Sequence, residues 1–207
     1  MPFTKTLLQE MLRAALSAVE SQLAMLNQLD AATGDGDHGT AILAAMKAAN
    51  AAVQHEGTLK EILENIGWDV MSNTSGSTSA LMGSFFVGMS QAVAGEELDS
   101  VQTITMFELG LANMRTSSRA KVGDKTLMDA LIPAIEAMTA LKEQSPSLAD
   151  VFAAAAAAAK TGADSTKELV AKFGRAKNLG ERSRGTRDAG AVSTALIYQA
   201  YAEAAGR

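Results

Sequence analysis

The sequence predicts an all-α fold of about eight helices, and three observations carry that expectation. Apolar residues recur at three- and four-residue steps through segment after segment. Alternating β-branched runs, the signature of strands, are absent. Hydrophobic residues make up 47% of the chain but aromatics only 4%, so Ala, Met and Leu must fill the core. Small and unbranched side chains suit close-packed helices.

The elements follow in order. Residues 5–26 place Leu7, Leu8, Met11, Leu12, Ala15, Leu16, Val19, Leu23 and Leu26 on one face. Residues 38–54, rich in Ala, Met and Ile, form the second helix. Thr58 and Glu61 make a capping box for a third over 59–72. Trp68 falls on the apolar rhythm there and is expected in the core. The fourth helix, over about 79–94, carries Leu81, Phe85, Phe86 and Met89. Ser100 is the expected N-cap of a fifth over 100–117. Thr126 and Asp129 cap a sixth, to about residue 143. Ser147 and Asp150 begin the next, through the alanine run 153–159, whose small side chains let helices approach. Residues 164–173 read as helical up to Gly174. Asp188 caps the last helix, over 188–204. Only three prolines and short connections give no domain boundary, so residues 1–207 are expected to form one domain.

Four polar segments interrupt this apolar pattern: 30–40, 72–79, 117–126 and 174–190. In an antiparallel array alternate connections share an end, so these four are expected at one pole. The first holds Asp30 and the string GDGDHG at 34–39. Carboxylates this close repel one another unless a cation lies between them. An all-oxygen set suits a hard ion, Mg²⁺ or Ca²⁺. Glycines allow close approach of a ligand, and the helix start that follows favours phosphate. An Asp/Gly turn that merely caps a helix is the alternative. SNTSGSTS at 72–79 offers hydroxyls and amides before another helix start, although no Walker motif is present. RAKVGDKT at 119–126 adds a second Gly-Asp turn. The segment 174–191 carries Arg175, Lys177, Arg182, Arg184 and Arg187, a cationic excess suited to phosphate. His38 has two readings: contact with a phosphate beside the metal, or a structural histidine that fixes its loop. The eleven methionines read as core, and His55 carries no assigned role.

Composition removes other classes. Net charge is −5, and no basic stripe with interleaved aromatics occurs, which argues against nucleic acid. With no cysteine there is no disulfide, thiolate nucleophile or Cys-ligated metal. No secretory core or membrane-length apolar run is present, so a soluble cytoplasmic protein without membrane contact is expected.

Taken together, Asp30 with GDGDHG, GDKT at 123–126 and GRA…LGERS…D-x-GA at 174–191 resemble the L subunit of dihydroxyacetone kinases along nearly the whole chain. The resemblance implies an eight-helix antiparallel barrel with an adenine nucleotide, ADP or ATP, bound at one end through Mg²⁺. It implies Asp30, Asp35 and Asp37 as metal ligands and His38, Gly39, Thr40 and Ala41 beside the phosphates. Ser77 and Thr78 align with the phosphate loop, and Ser118 and Leu127 with the base and ribose pocket. Arg175, Asp188, Ala189 and Gly190 complete the set. It further implies a separate K subunit that holds a ketose, with this chain as half an enzyme. Some members use ATP directly; others retain ADP and recharge it from a phosphotransferase-system protein. The residues leave both open.

Two departures stand out. Where the family usually has Gly-Gly-x-Ser-Gly, residues 75–79 read Ser-Gly-Ser-Thr-Ser. Where it has His-x-Asp-Pro-Gly, residues 186–190 read Thr-Arg-Asp-Ala-Gly. Neither touches an expected metal ligand. A nucleotide sensor that docks on a regulator, a kinase subunit for a related short-chain ketose, and a helical scaffold with a Ca²⁺ loop are the competing readings.

Overall fold

The computed structural model describes residues 2–73 and 76–207. Nine α-helices occur among them: α1 (Lys5–Ser21), α2 (Leu23–Ala31), α3 (His38–Ala52), α4 (Leu59–Asn73), α5 (Ser77–Ser90), α6 (Ser100–Ser117), α7 (Met128–Thr139), α8 (Leu148–Ser165) and α9 (Ala189–Ala205). The expected first helix is broken at Gln22, which leaves the helical region at φ −110°, ψ 11°. Just before it, the Ser21 hydroxyl donates back to the Ala18 carbonyl, a contact that bends helices. With α1 and α2 taken as one kinked unit, the count is eight.

These eight close a ring. Beyond the α1–α2 unit, α3 to α9 each pack on their sequence neighbour, and α9 returns to α1. A single apolar core fills the middle, from Leu8 and Met11 of α1 to Tyr198 and Tyr201 of α9. Phe85, Phe107, Phe152 and Tyr198 meet edge to face along it, with centroids 5.4–6.2 Å apart. The alanine run serves as expected: Ala155, Ala156 and Ala159 are buried where α8 meets α7 and α9. Closest of all is Gly162, where an added Cβ would lie 1.9 Å from the Asp129 carbonyl oxygen.

Two capping boxes fall where the sequence puts them. Glu61 accepts from the Thr58 amide, and the Ser147 hydroxyl accepts from the Asp150 amide. At α6 the cap is Asp99 rather than Ser100: its carboxylate accepts from the Gln102 amide at 2.8 Å, and the Gln102 side chain accepts from the Asp99 amide. Trp68 is 59% exposed, not core. The buried stripe of α4 runs through Leu59, Ile62, Leu63, Ile66 and Val70, and Trp68 lies two residues past Ile66, on the far face. The helix expected over 164–173 ends at Ser165, followed by a 3-10 turn at Thr166–Glu168. The Lys125 ammonium takes the Thr166 carbonyl, and the Thr166 hydroxyl accepts from the Asp188 amide. Tertiary partners thus claim the groups that would continue the helix. The strands among the described residues are β1 (Phe3–Thr4) and β2 (Glu97–Leu98), an antiparallel pair at the pole opposite the polar loops. Among the described residues no helix is long and apolar enough to cross a membrane.

Candidate functional site

All four polar connections meet at one pole and enclose a cleft of ≈ 1180 Å³. Its wall contains Asp30, Asp35, Asp37, His38, Thr40 and Ala41 from the first loop and α3, and Ser77 and Thr78 from α5. Ser118 and Leu127 come from the third connection, and Arg175, Asp188, Ala189 and Gly190 from the fourth. Thr74 and Ser75 of the serine-rich loop lie outside the described residues. Gly39 is not in the wall. An added Cβ there would stand 2.6 Å from the Leu23 carbonyl and 2.7 Å from the Asn27 side-chain oxygen. Gly39 therefore serves close packing of α3 on α2.

One carboxylate oxygen from each of Asp30, Asp35 and Asp37 lies within 4.8 Å of the others. Oxygens around an octahedral Mg²⁺ stand about 3–4 Å apart, so small side-chain rotations bring this set into range, and its chemistry fits a hard divalent cation. The three are not equivalent. Asp30 Oδ2 accepts the amides of Gly36, Asp37 and His38 at 2.8, 3.0 and 3.4 Å, which folds the loop around it. Gly36 makes that turn possible at φ +80°. Asp37 is the N-cap residue of α3 but makes no side-chain cap bond. Asp35 is already paired, to Arg175 across the cleft. The cation expected to meet phosphate thus holds the first loop to the fourth instead.

His38 is buried, and its Nε2 lies 2.9 Å from the Ser193 hydroxyl of α9. Burial lowers its pKa, opposed by the nearby Asp30 and Asp37 charges. That environment matches the loop-fixing reading of the residue. At the start of α3 the His38 and Thr40 amides are taken by Asp30 and by the Asn27 side chain. The start of α5 differs: its N-cap is Gly76 at φ +100°, which has no side chain to offer. That is where an anion meets less competition.

Among the wall residues that the sequence left unassigned, two stand out. Lys125 is 3% exposed at φ +61°, and its ammonium donates to the Thr166 and Thr186 carbonyls, tying the third connection to both ends of the fourth. Burial lowers its pKa, opposed by Asp188 and Asp129. The signal was its place in GDKT; its partners, 41 and 61 residues away, were not legible. Phe173 is the other, 39% exposed beside Gly174.

Asp188 accepts the Ala191 amide at 2.7 Å and caps α9 as expected. Burial of its carboxylate pushes the pKa up to about 6, the Ala191 bond opposing and Asp129 adding to the rise. A native pKa above the unfolded one means the folded state holds the proton more tightly. Stability from this group is complete below about pH 4 and is lost as pH rises through 6. Asp188→Asn keeps an oxygen for the cap and removes the ionisation. Its stability relative to the parent therefore climbs between pH 4 and 7, by up to roughly 2 kcal/mol after allowance for cleft water. Parallel thermal melts across that range check it; a difference independent of pH would rule it out.

Comparison with known proteins agrees with the all-helical fold. The DAK2 domain family matches residues 32–203. The ADP-binding subunit of a PEP-dependent dihydroxyacetone kinase from Escherichia coli (strain K12) is 33% identical over 186 residues, 87% of this chain and 87% of that one. An L-erythrulose kinase from Pectobacterium atrosepticum is 34% identical over 195 residues, 91% of this chain but 33% of its own length. A crystal structure of the dihydroxyacetone kinase from C. freundii with AMP-PNP and Mg²⁺ superposes with a TM-score of 0.71 at 27% identity, covering 98% of this chain and 34% of that one. The chain thus spans about a third of these longer kinases and most of the E. coli subunit. It belongs to the DAK2 domain family, the family of the ADP-binding subunits of dihydroxyacetone kinases.

Proposed function

We propose that this chain is the nucleotide-holding subunit of a dihydroxyacetone (glycerone) kinase. It places the phosphoryl group of an Mg²⁺–adenine nucleotide before a short-chain ketose carried by a separate K subunit. The observation that carries this is the convergence of four connections on one cleft with a three-carboxylate cluster in its wall. Asp30, Asp35 and Asp37 would hold the cation, which supplies charge neutralisation to the phosphate oxygens. The α5 start, with Ser77 and Thr78, receives phosphate oxygens, while Ser118 and Leu127 border the base and ribose. Asp188, Ala189 and Gly190 at the start of α9 complete the wall. The reaction is in-line transfer: the ketose hydroxyl oxygen bonds phosphorus as the bond to the nucleotide breaks, and the hydroxyl proton departs. Such transfer asks for position and electrostatics rather than a covalent enzyme intermediate. Matches to ADP-binding subunits along most of their length favour the relay arrangement. There ADP would stay bound and a phosphotransferase-system protein would recharge it; two such relatives are named PEP-dependent and PTS-dependent.

The Asp35–Arg175 pair sets an order of events. To hold a cation Asp35 would have to release the guanidinium, which would leave Arg175 free for phosphate. Arg175→Ala accordingly raises affinity for Mg²⁺ alone about two- to fivefold, the range of an exposed ion pair. The same variant weakens Mg–ADP binding, because a phosphate partner is lost. Titration calorimetry reads both signs, and equal signs would exclude the exchange. For the function itself, acid release from purified protein should yield ADP. Adding a K subunit, dihydroxyacetone and either ATP or a recharged phosphotransferase protein should give dihydroxyacetone phosphate. No bound nucleotide and no product with either donor would refute the proposal.

A further inference from the structure

The cleft wall holds an aromatic ring that the proposed phosphate and metal contacts do not use. Among the described residues, Phe3, Phe85, Phe86, Phe107, Phe152, Tyr198 and Tyr201 are all buried in the barrel; Phe173 is 39% exposed. A phenyl group facing water forgoes the burial that places its counterparts in the core. It is also held firmly. The Lys172 amide donates to the Asp124 carbonyl at 3.1 Å, and the Lys172 ammonium reaches the Gly123 carbonyl and Asp124 Oδ1. One residue earlier, the Ala171 amide donates to the Ser183 hydroxyl at 2.9 Å. Gly174, at φ +64°, then turns the chain away. The ring thus lines the cleft, whose wall also contains Ser118, Leu127 and Ala176, on a segment tied to the third connection through Asp124 and to the fourth through Ser183.

We propose that Phe173 is the stacking wall for the nucleotide base, and so the residue through which this cleft gains affinity from the base rather than from the phosphates. The assignment rests on the nucleotide reading above. A phenyl face stacks on any purine, so this contact adds affinity while discriminating little between adenine and guanine. Because Lys172 and Ala171 fix the flanking backbone beforehand, little ordering opposes the stack.

The test is calorimetric titration of the full chain with Mg–ADP and, separately, Mg–tripolyphosphate, which has charge but no base. Phe173→Ala should weaken ADP about tenfold, the low end of base–aromatic stacking, and change tripolyphosphate less than about twofold. Phe173→Leu keeps apolar bulk without the ring and should still weaken ADP selectively by about threefold, which covers the case of an Ala variant that folds poorly. Equal loss for both ligands would mean that the ring only supports its segment, and no loss for either would mean that it touches no base; each overturns the assignment alone. A parent protein that binds neither ligand would instead remove the nucleotide reading.

Discussion

Asp35→Asn or Asp37→Asn lowers ketose phosphorylation at least about 100-fold, with the melting temperature unchanged or slightly raised. An amide at either position removes one anionic oxygen from the set proposed to hold the cation, and stabilisation of transferring phosphoryl charge is where such sites gain most of their rate. Little stability is at stake: the Asp37 side chain makes no cap bond, the Asp35–Arg175 pair is solvent-exposed and worth at most about 1 kcal/mol, and relief of mutual repulsion offsets its loss. Asp30 behaves differently. Its Oδ2 gathers three backbone amides, so Asp30→Ala costs about 1–3 kcal/mol as well as activity. In sequence the three are alike, mutually repelling carboxylates; the loop geometry separates Asp30 from the other two. Activity assays with a K subunit beside denaturant melts check both halves. Near-parental turnover in Asp37→Asn would sink the metal reading.

Gly162→Ala is the stability counterpart. Its Cβ would stand 1.9 Å from the Asp129 carbonyl and 2.9 Å from the Asp129 carbonyl carbon, backbone atoms that cannot rotate aside. α7 and α8 must separate, at a cost of about 3 kcal/mol from overpacking, partly offset by about 1 kcal/mol of better helix propensity. The damage reaches the cleft. Asp129 Oδ1 and Oδ2 accept the Gly123 and Thr126 amides at 2.6 and 2.7 Å and so shape the third connection. The variant therefore melts at lower temperature and binds Mg–ADP more weakly, though Gly162 is not in the cleft wall. Unchanged stability would show that the two helices slide without cost.

Most of the helical frame was legible because burial follows the 3.6-residue period. Leu7, Leu8, Met11, Leu12, Ala15 and Val19 fall inside as their spacing predicts. Trp68 misled for the opposite reason: an apolar residue can sit anywhere on a helix, and only the neighbouring helices decide which face is inner. The end of α8 misled because its terminal groups are claimed by Lys125 and Asp188, distant in sequence. The candidate site was legible as four polar interruptions, since alternate connections in an up-and-down ring share a pole. The resemblance sets Gly39 beside the phosphates; that its missing side chain also admits α2 is a packing need that one dimension does not reveal.

The sequence alone determined the all-helical frame, most helix boundaries and the chemistry of each loop, because periodicity, caps and side-chain type act over a few residues. Tertiary structure alone decided that Asp35 pairs with Arg175, that His38 turns inward to Ser193, and that Lys125 binds both ends of the fourth connection. Those contacts join residues 41 to 155 positions apart, and only closure of the ring sets such distances.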